Sequence, residues 1–296
     1  MNIYKEQDKN IRKTWFLMFF FLVVVIAVGW LISWYFDSPG ILYIAVIFAI
    51  LMNFFSYWYS DTIVIKLTRA KPVSRESHRE LWNIVENLSI TAGLPMPKLY
   101  IVEDSAPNAF ATGRNPKNSA VAVTSGLLQI LDRTELEGVI AHELSHIGNR
   151  DMLVSTIAVT LVGFIAILAD ISWRMAFFGG GGRRDGKGAG WLMILAIVAI
   201  ILAPIAAKVI QLAVSRKREF LADASGALLT RYPEGLASAL QKISNYSRPM
   251  RHASHATSHL FISNPFGSQG FVGFMNKLFS THPPAQERIR ALRGEK

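Results

Sequence analysis

His142-Glu143-Leu144-Ser145-His146 is the stretch from which the rest of this chain can be read. On a helix, residues four apart lie one above the other on the same face, so both imidazoles can turn toward one metal ion. Glu143 sits beside the first of them, where it can hydrogen-bond a water at that ion. This is the H-E-x-x-H pattern of zinc metallopeptidases. Its flanks fit a helix. Thr134-Glu135-Leu136-Glu137 has the form of a capping box and predicts the helix start. Leu136, Val139, Ile140, Leu144 and Ile147 then recur at helical spacing, and Gly148-Asn149 is a stop signal. The same pentapeptide also occurs on polar helix faces that bind no metal, so the surrounding chain decides between the two readings.

The composition points to a membrane. Of 296 residues, 51% are hydrophobic, and the mean hydropathy of +0.29 is too high for an ordinary soluble chain of this length. Cysteine is absent, which excludes disulfides, thiolate metal sites and a cysteine nucleophile. Any metal must then be held by histidine and carboxylate. The net charge of +10 is scattered among apolar segments without a clustered basic face. That argues against nucleic acid and for anionic lipid head groups as the partner of this charge.

Working outward in both directions gives the segmentation. Residues 1–13 are a polar, basic N-terminus. Residues 14–59 form an apolar hairpin: a first span over Thr14–Phe36, a turn at Asp37-Ser38-Pro39-Gly40, and a second span over Ile41–Tyr59. Each run is long enough for a hydrocarbon core of roughly 30 Å. The first is too long for a signal-peptide core and lacks a small-residue cleavage site, so it reads as a retained anchor. Tyr57, Trp58 and Tyr59 read as an interfacial aromatic belt, and Lys66, Arg69, Lys71 and Arg75 follow. The positive-inside rule then places residues 1–13 and the chain after Tyr59 in the cytoplasm.

Residues 60–151 read as mixed α/β structure. An amphipathic helix over Glu76–Ala92 is closed by Gly93, Leu99–Val102 is a short strand, and Asn108–Thr112 with Ala120–Thr124 form a hairpin before the H-E-x-x-H helix. Residues 152–214 hold a second apolar hairpin, with runs at Met152–Ala169 and Trp191–Val214 around a glycine-rich loop at 177–190. Arg174, Arg183, Arg184 and Lys187 between these runs oppose an outward loop under the same charge rule. Residues 215–296 are soluble again, with helices through Glu219 to about Leu229, over Pro233–Tyr246, and at the C-terminus through Ile289 and Leu292. The expected fold class is thus an α+β membrane protein, mostly helical, with four transmembrane helices and a small β-sheet.

Catalytic zinc keeps three protein ligands and an open position. Glu219 and Asp223 lie four apart on one helix face, and the second hairpin returns that helix to the end of the H-E-x-x-H helix. This arrangement makes Glu219 the third ligand beside His142 and His146, with Asp223 orienting a histidine ring from behind. His252, His255 and His259 are a rival set, spaced three and four apart in a stretch without an apolar stripe.

Leu136–His146, Arg218-Glu219-Phe220-Leu221-Ala222-Asp223, Asn108-Ala109-Phe110-Ala111 and Ser280-Thr281-His282-Pro283-Pro284 together resemble the HtpX family. These are bacterial membrane zinc metallopeptidases related to the eukaryotic CAAX prenyl proteases, and the resemblance covers nearly the whole chain. It implies a gluzincin-like catalytic domain at the cytoplasmic face of the inner membrane, in a multi-pass protein with one Zn2+ per chain. It also implies zinc ligands at His142, His146 and Glu219, and a general base at Glu143. His282 and Arg288 are implied near the substrate carbonyl, stabilising its oxyanion, and the Asn108–Ala111 segment as an edge strand that binds substrate. Protein quality control is implied as the role, with unfolded or damaged membrane proteins as substrates. Zinc would activate water, and Glu143 would take its proton and pass it to the leaving amine. Two other readings remain open: a CAAX-type prenyl-protein protease, for which four spans are few, and a non-enzymatic protein with a structural zinc.

Overall fold

The computed structural model describes residues 3–178, 216–251, 257–266 and 283–295. The fourth apolar run, His252, His255 and His282 lie outside the described residues, as does most of the glycine-rich loop.

Two of the apolar runs are helices long and apolar enough to cross a bilayer, within Gln7–Tyr35 and Pro39–Trp58. The first belongs to α1 (Ile3–Tyr35), whose 33 residues rise roughly 50 Å. That exceeds a hydrocarbon core of roughly 30 Å, so one end must leave the membrane. The residues expected as a separate polar N-terminus are therefore helical from Ile3. No proline or glycine interrupts them, and Gln7 and Asn10 bond to Gly148, Asn149 and Asp151. Asp37, with a positive φ of 46°, turns the chain into α2 (Pro39–Trp58), which starts at proline as helices tolerate.

A short α3 (Ser60–Leu67) leads into a four-stranded sheet of β1 (Lys71–Pro72), β2 (Lys98–Val102), β3 (Ala109–Asn115) and β4 (Asn118–Thr124), ordered β1-β2-β4-β3. β3 and β4 form the expected hairpin, antiparallel with Ala109 opposite Val123 and Ala111 opposite Val121. β2 pairs with β4 in parallel, which leaves β3 at an edge. Side chains alternate across a strand, and here both faces are covered. Leu99, Ile101, Val121 and Val123 pack with Leu81, Ile84, Val85 and Leu88 of α4 (Arg79–Ala92) and with Ile140 and Leu144 of α6 (Arg133–Gly148). Val102, Phe110 and Ala122 pack with Val64 of α3 and Val159 of α7 (Asp151–Phe178) on the other side. α5 (Ser125–Ile130) bridges β4 and α6.

The third apolar run is thus the start of one 28-residue helix, α7. Val154, Ile157, Ala158 and Leu161 of its first turns are buried against Leu17, Met18 and Phe21 of α1. Two candidate spans are found among the described residues, where four were expected across the chain.

Three further helices complete the described fold: α8 (Arg216–Thr230), α9 (Pro233–Asn245) and α10 (Ala285–Arg293). All match the expected helices within a few residues. The cap of α6 differs. Asp132 is the N-cap, and its carboxylate accepts from Glu135 N at 3.0 Å while Glu135 Oε2 accepts from Asp132 N at 2.9 Å. Asp is as good a cap as threonine, so the reciprocal pair closes two residues earlier than Thr134 and Glu137. Thr134 donates to Asp132 and Glu137 pairs with Arg133.

Candidate metal centre

α6 and α8 build the site, and glycines set how closely they and α9 approach. A Cβ at Gly226 of α8 would sit 3.0 Å from the backbone nitrogen of His142, and one at Gly138 of α6 would sit 2.6 Å from that of Leu236 in α9. A side chain at Gly138 would push the helices apart and one at Gly226 would crowd His142, so both glycines favour these approaches, and the one at Gly226 brings Glu219 and Asp223 over His142. The apolar stripe of α6 faces the sheet with Leu136, Val139, Ile140, Leu144 and Ile147 all buried, which turns the two histidines toward α8.

His142 Nε2 and His146 Nε2 are 3.1 Å apart. Glu219 Oε2 lies 3.8 Å from the first and Glu219 Oε1 3.7 Å from the second. All three donors fall within 4.8 Å of one another. Zinc–ligand bonds of roughly 2.0–2.2 Å in tetrahedral geometry separate ligand atoms by about 3.4 Å, so one zinc fits this set. Among the described residues it is the group that could hold a metal. His259, from the rival cluster, is buried elsewhere, with its Nε2 3.3 Å from the Ser155 carbonyl oxygen on α7.

Each histidine is backed by a carboxylate. Asp223 Oδ1 is 2.9 Å from His142 Nδ1, and Asp151 Oδ2 is 3.3 Å from His146 Nδ1. Both contacts place a proton on Nδ1 and leave Nε2 to the metal, as backing carboxylates do. Arg288 of α10, 1% exposed, donates through Nε and Nη2 to the two oxygens of Asp223 at 2.9 and 2.7 Å. It also donates to the Ile262 carbonyl at 3.2 Å, and its Nη1 lies 3.9 Å from Glu219 Oε2.

Burial and these charges set the titration. Burial, with the Arg288 charge, pushes His142 down to about 4. Burial also opposes charge on His146, but the hydrogen bond to Asp151 and the charge of Glu219 outweigh it and hold that ring at about 9. Burial raises the Glu143 carboxyl to about 7, against the pull of His146, Arg288 and a hydrogen bond from the Ala111 N–H. Burial works to raise Asp223 as well, yet the Arg288 charge and the bonds to His142 and Arg288 bring it down to about 2.

Ala111 thus sits on β3 with its N–H toward Glu143. Asn108 and Ala109 are engaged differently: the Asn108 amide exchanges bonds with Ser263, and the Ala109 carbonyl accepts from Ile262 N at 2.9 Å. Phe110 is buried on the opposite face, edge-on to Phe261 at 5.2 Å. Sequence reasoning missed Asp151, Asn10 and Arg218. Asp151 carried a weak signal as the carboxylate just past the stop of α6. Asn10 carried none, because it meets Asn149 and Asp151 across about 140 residues of chain, and Arg218 stands in the quoted motif beside Glu219 with no sign of its long-range partner.

Residues 75–296 match Peptidase_M48, peptidase family M48. The Protease HtpX homolog of Thermoanaerobacter pseudethanolicus is 47% identical over 298 residues, covering 99% of this chain and 97% of its own length. That of Dictyoglomus turgidum is 47% identical, covering 98% and 94%, and that of Tropheryma whipplei strain Twist is 53% identical, covering 80% and 79%. Among solved structures, the crystal structure of S. mikatae Ste24p aligns with a TM-score of 0.49 at 18% identity, covering 98% of this chain and 67% of that one. Nearly half identical to its HtpX relatives from end to end, the chain belongs to peptidase family M48: it is a zinc metallopeptidase of the membrane.

Proposed function

We propose that this enzyme is an endopeptidase that cuts membrane or membrane-proximal proteins at the cytoplasmic face of a bacterial inner membrane, as part of the quality control of misfolded chains. The observation that carries this reading is the His142, His146 and Glu219 donor set on α6 and α8, with Glu143 between the two histidines and the apolar helix α1 bonded to the end of α6.

His142, His146 and Glu219 would hold the zinc. When bound there, it supplies a Lewis acid for the scissile carbonyl and lowers the pKa of water to roughly 7. Glu143 accepts the proton of the attacking water and passes it to the leaving amine. Asp223 and Asp151 keep the two imidazoles aimed at the metal, and Arg288 fixes Asp223. The bidentate Arg288–Asp223 pair favours this positioning role over the oxyanion role that the resemblance implies.

Substrate would lie extended along β3, the sheet edge, through main-chain bonds that tolerate many side chains. Ala111 is the contact beside Glu143, while Asn108, Ala109 and Phe110 hold the 261–263 segment as the adjoining wall. The apolar hairpin and the basic residues after Tyr59 support a multi-pass topology with the chain after Tyr59 in the cytoplasm. Because the chain lacks cysteine, single cysteines placed at 37–40 and after 60 should label from opposite sides with an impermeant reagent. Labelling from one side would overturn the orientation.

The test of the chemistry is zinc content paired with cleavage of an unfolded membrane protein. Glu143→Gln should keep stoichiometric zinc and lose about 10²–10⁴ in rate. A zinc-loaded variant cleaving at wild-type rate would remove Glu143 as the base. In the same assay, a folded, zinc-loaded and fully active Ala111→Pro would remove the strand placement.

A further inference from the structure

α1 does more at its N-terminal end than enter a membrane. Asn10 is 1% exposed. Burying an amide side chain is unfavourable unless its donors and acceptor are matched, and an anchor gains nothing from it. Here the match is made entirely with the metal-site scaffold. Asn10 Nδ2 donates to Asp151 Oδ1 at 2.6 Å and to the Asn149 carbonyl at 3.1 Å. Its Oδ1 accepts from Arg218 Nη1 at 3.3 Å. One turn earlier, Gln7 Nε2 donates to the Gly148 carbonyl at 2.6 Å. Asn10 therefore touches the C-terminal cap of α6, the start of α7 and the start of α8 at once.

We propose that Asn10 is a positioning residue of the metal centre. It fixes the Asp151 carboxylate that orients His146, and holds Arg218, the residue next to Glu219. This rests on reading His142, His146 and Glu219 as zinc ligands. The two oxygens of Asp151 are divided, Oδ1 to Asn10, with Arg218 Nε 3.8 Å away, and Oδ2 to His146. A carboxylate gripped at one oxygen presents the other in a fixed direction, which is how an outer partner tunes a ligand. Asn10 also stands outside residues 75–296, the stretch matched to the family, so the N-terminal membrane helix contributes a part that this stretch lacks.

The test is the zinc dissociation constant of the full-length protein in detergent, measured by competition with a chelator and needing no substrate. Asn10→Ala should weaken zinc about tenfold, within the range for loss of an outer partner. Leu17→Ala, on the same helix and 1% exposed, should lower thermal stability and leave zinc affinity unchanged. In an Asp151→Ala background, Asn10→Ala should add less than about threefold, since linked residues are not additive. Should Asn10→Ala fail to fold, Asn10→Leu, branched at Cγ like asparagine and a better helix former, removes the polar contacts, and the same tenfold loss is expected. Unchanged zinc affinity, an equal loss in Leu17→Ala, or full additivity with Asp151→Ala would each overturn the proposal. A wild-type chain that binds no zinc would overturn the metal centre itself, whereas zinc-loaded wild type with an unaffected Asn10 variant would overturn only the role of Asn10.

Discussion

The two helices of the N-terminal hairpin each hold an apolar stretch long enough to cross a bilayer, and they are employed differently. α1 buries Leu17 and Phe21 against α7 and ends in side chains bonded to the catalytic helices. α2 leaves Tyr43, Ile44, Ile47, Ile50 and Leu51 exposed along its length. Its C-terminal end meets the sheet through the guanidinium of Arg114, which lies over the Trp58 ring and donates to the Trp58 carbonyl. Hydropathy measures what each helix gains in hydrocarbon, and by that measure both are spans. It does not register whether one face is matched by protein, because lipid and leucine are equally apolar partners. The lesson is that one span is scaffold and the other chiefly anchor, and long-range partners alone separate them.

That contrast predicts effects of very different size. The largest belongs to the centre that α1 supports. An outer partner of a metal ligand is worth about 10–100-fold in affinity, so removing a direct ligand should cost more than about 100-fold. Glu219→Gln should accordingly lose zinc on chelator competition, while Ile47→Ala on α2 should keep wild-type affinity. Stoichiometric, tightly held zinc in purified Glu219→Gln would break the donor set and leave α1 supporting no metal centre.

Much of this centre was legible in the sequence because helical spacing is local information. His142 and His146 four apart fix one face of α6, and Glu219 and Asp223 four apart fix one face of α8. Those two faces do lie together, while the second arm of the hairpin expected to join them lies outside the described residues. The β3–β4 hairpin was legible for the same reason, from two short strand-like runs around a loop of Gly, Asn and Pro. What could not be read was how apolar surface is divided between protein and lipid. Val154 and Ile157 of α7 look like any membrane residues, yet they are buried against α1. Polar contacts across the chain, such as Asn10 with Asp151, leave no periodic trace either. The cap of α6 was misplaced by two residues because Asp132 and Thr134 are both good caps, and only the geometry of Glu135 chooses between them.

The smallest expected effects test the contrast itself, by comparing one alanine on each helix. Leu17 of α1 is 1% exposed and Ile47 of α2 is 59% exposed. In water, emptying a buried leucine site costs about 2–5 kcal/mol, part from transfer and part from the cavity left behind. Within a bilayer the transfer part largely vanishes, since the side chain leaves one apolar medium for another, and the lost packing remains. Leu17→Ala should then fall near the low end, about 2 kcal/mol, read as reduced unfolding stability of the zinc-loaded protein in bicelles. Ile47→Ala removes methyl groups that face lipid in both the folded and the dissociated helix, so its change should stay within about 0.5 kcal/mol, as at other unpartnered surface sites. Equal losses at the two positions would mean that the outer face of α2 is covered by protein, and the division into scaffold and anchor would fail. A loss at Leu17 alone, with unchanged zinc affinity, would show that α1 supports the fold by packing along its length and supports the metal only through its polar first turns.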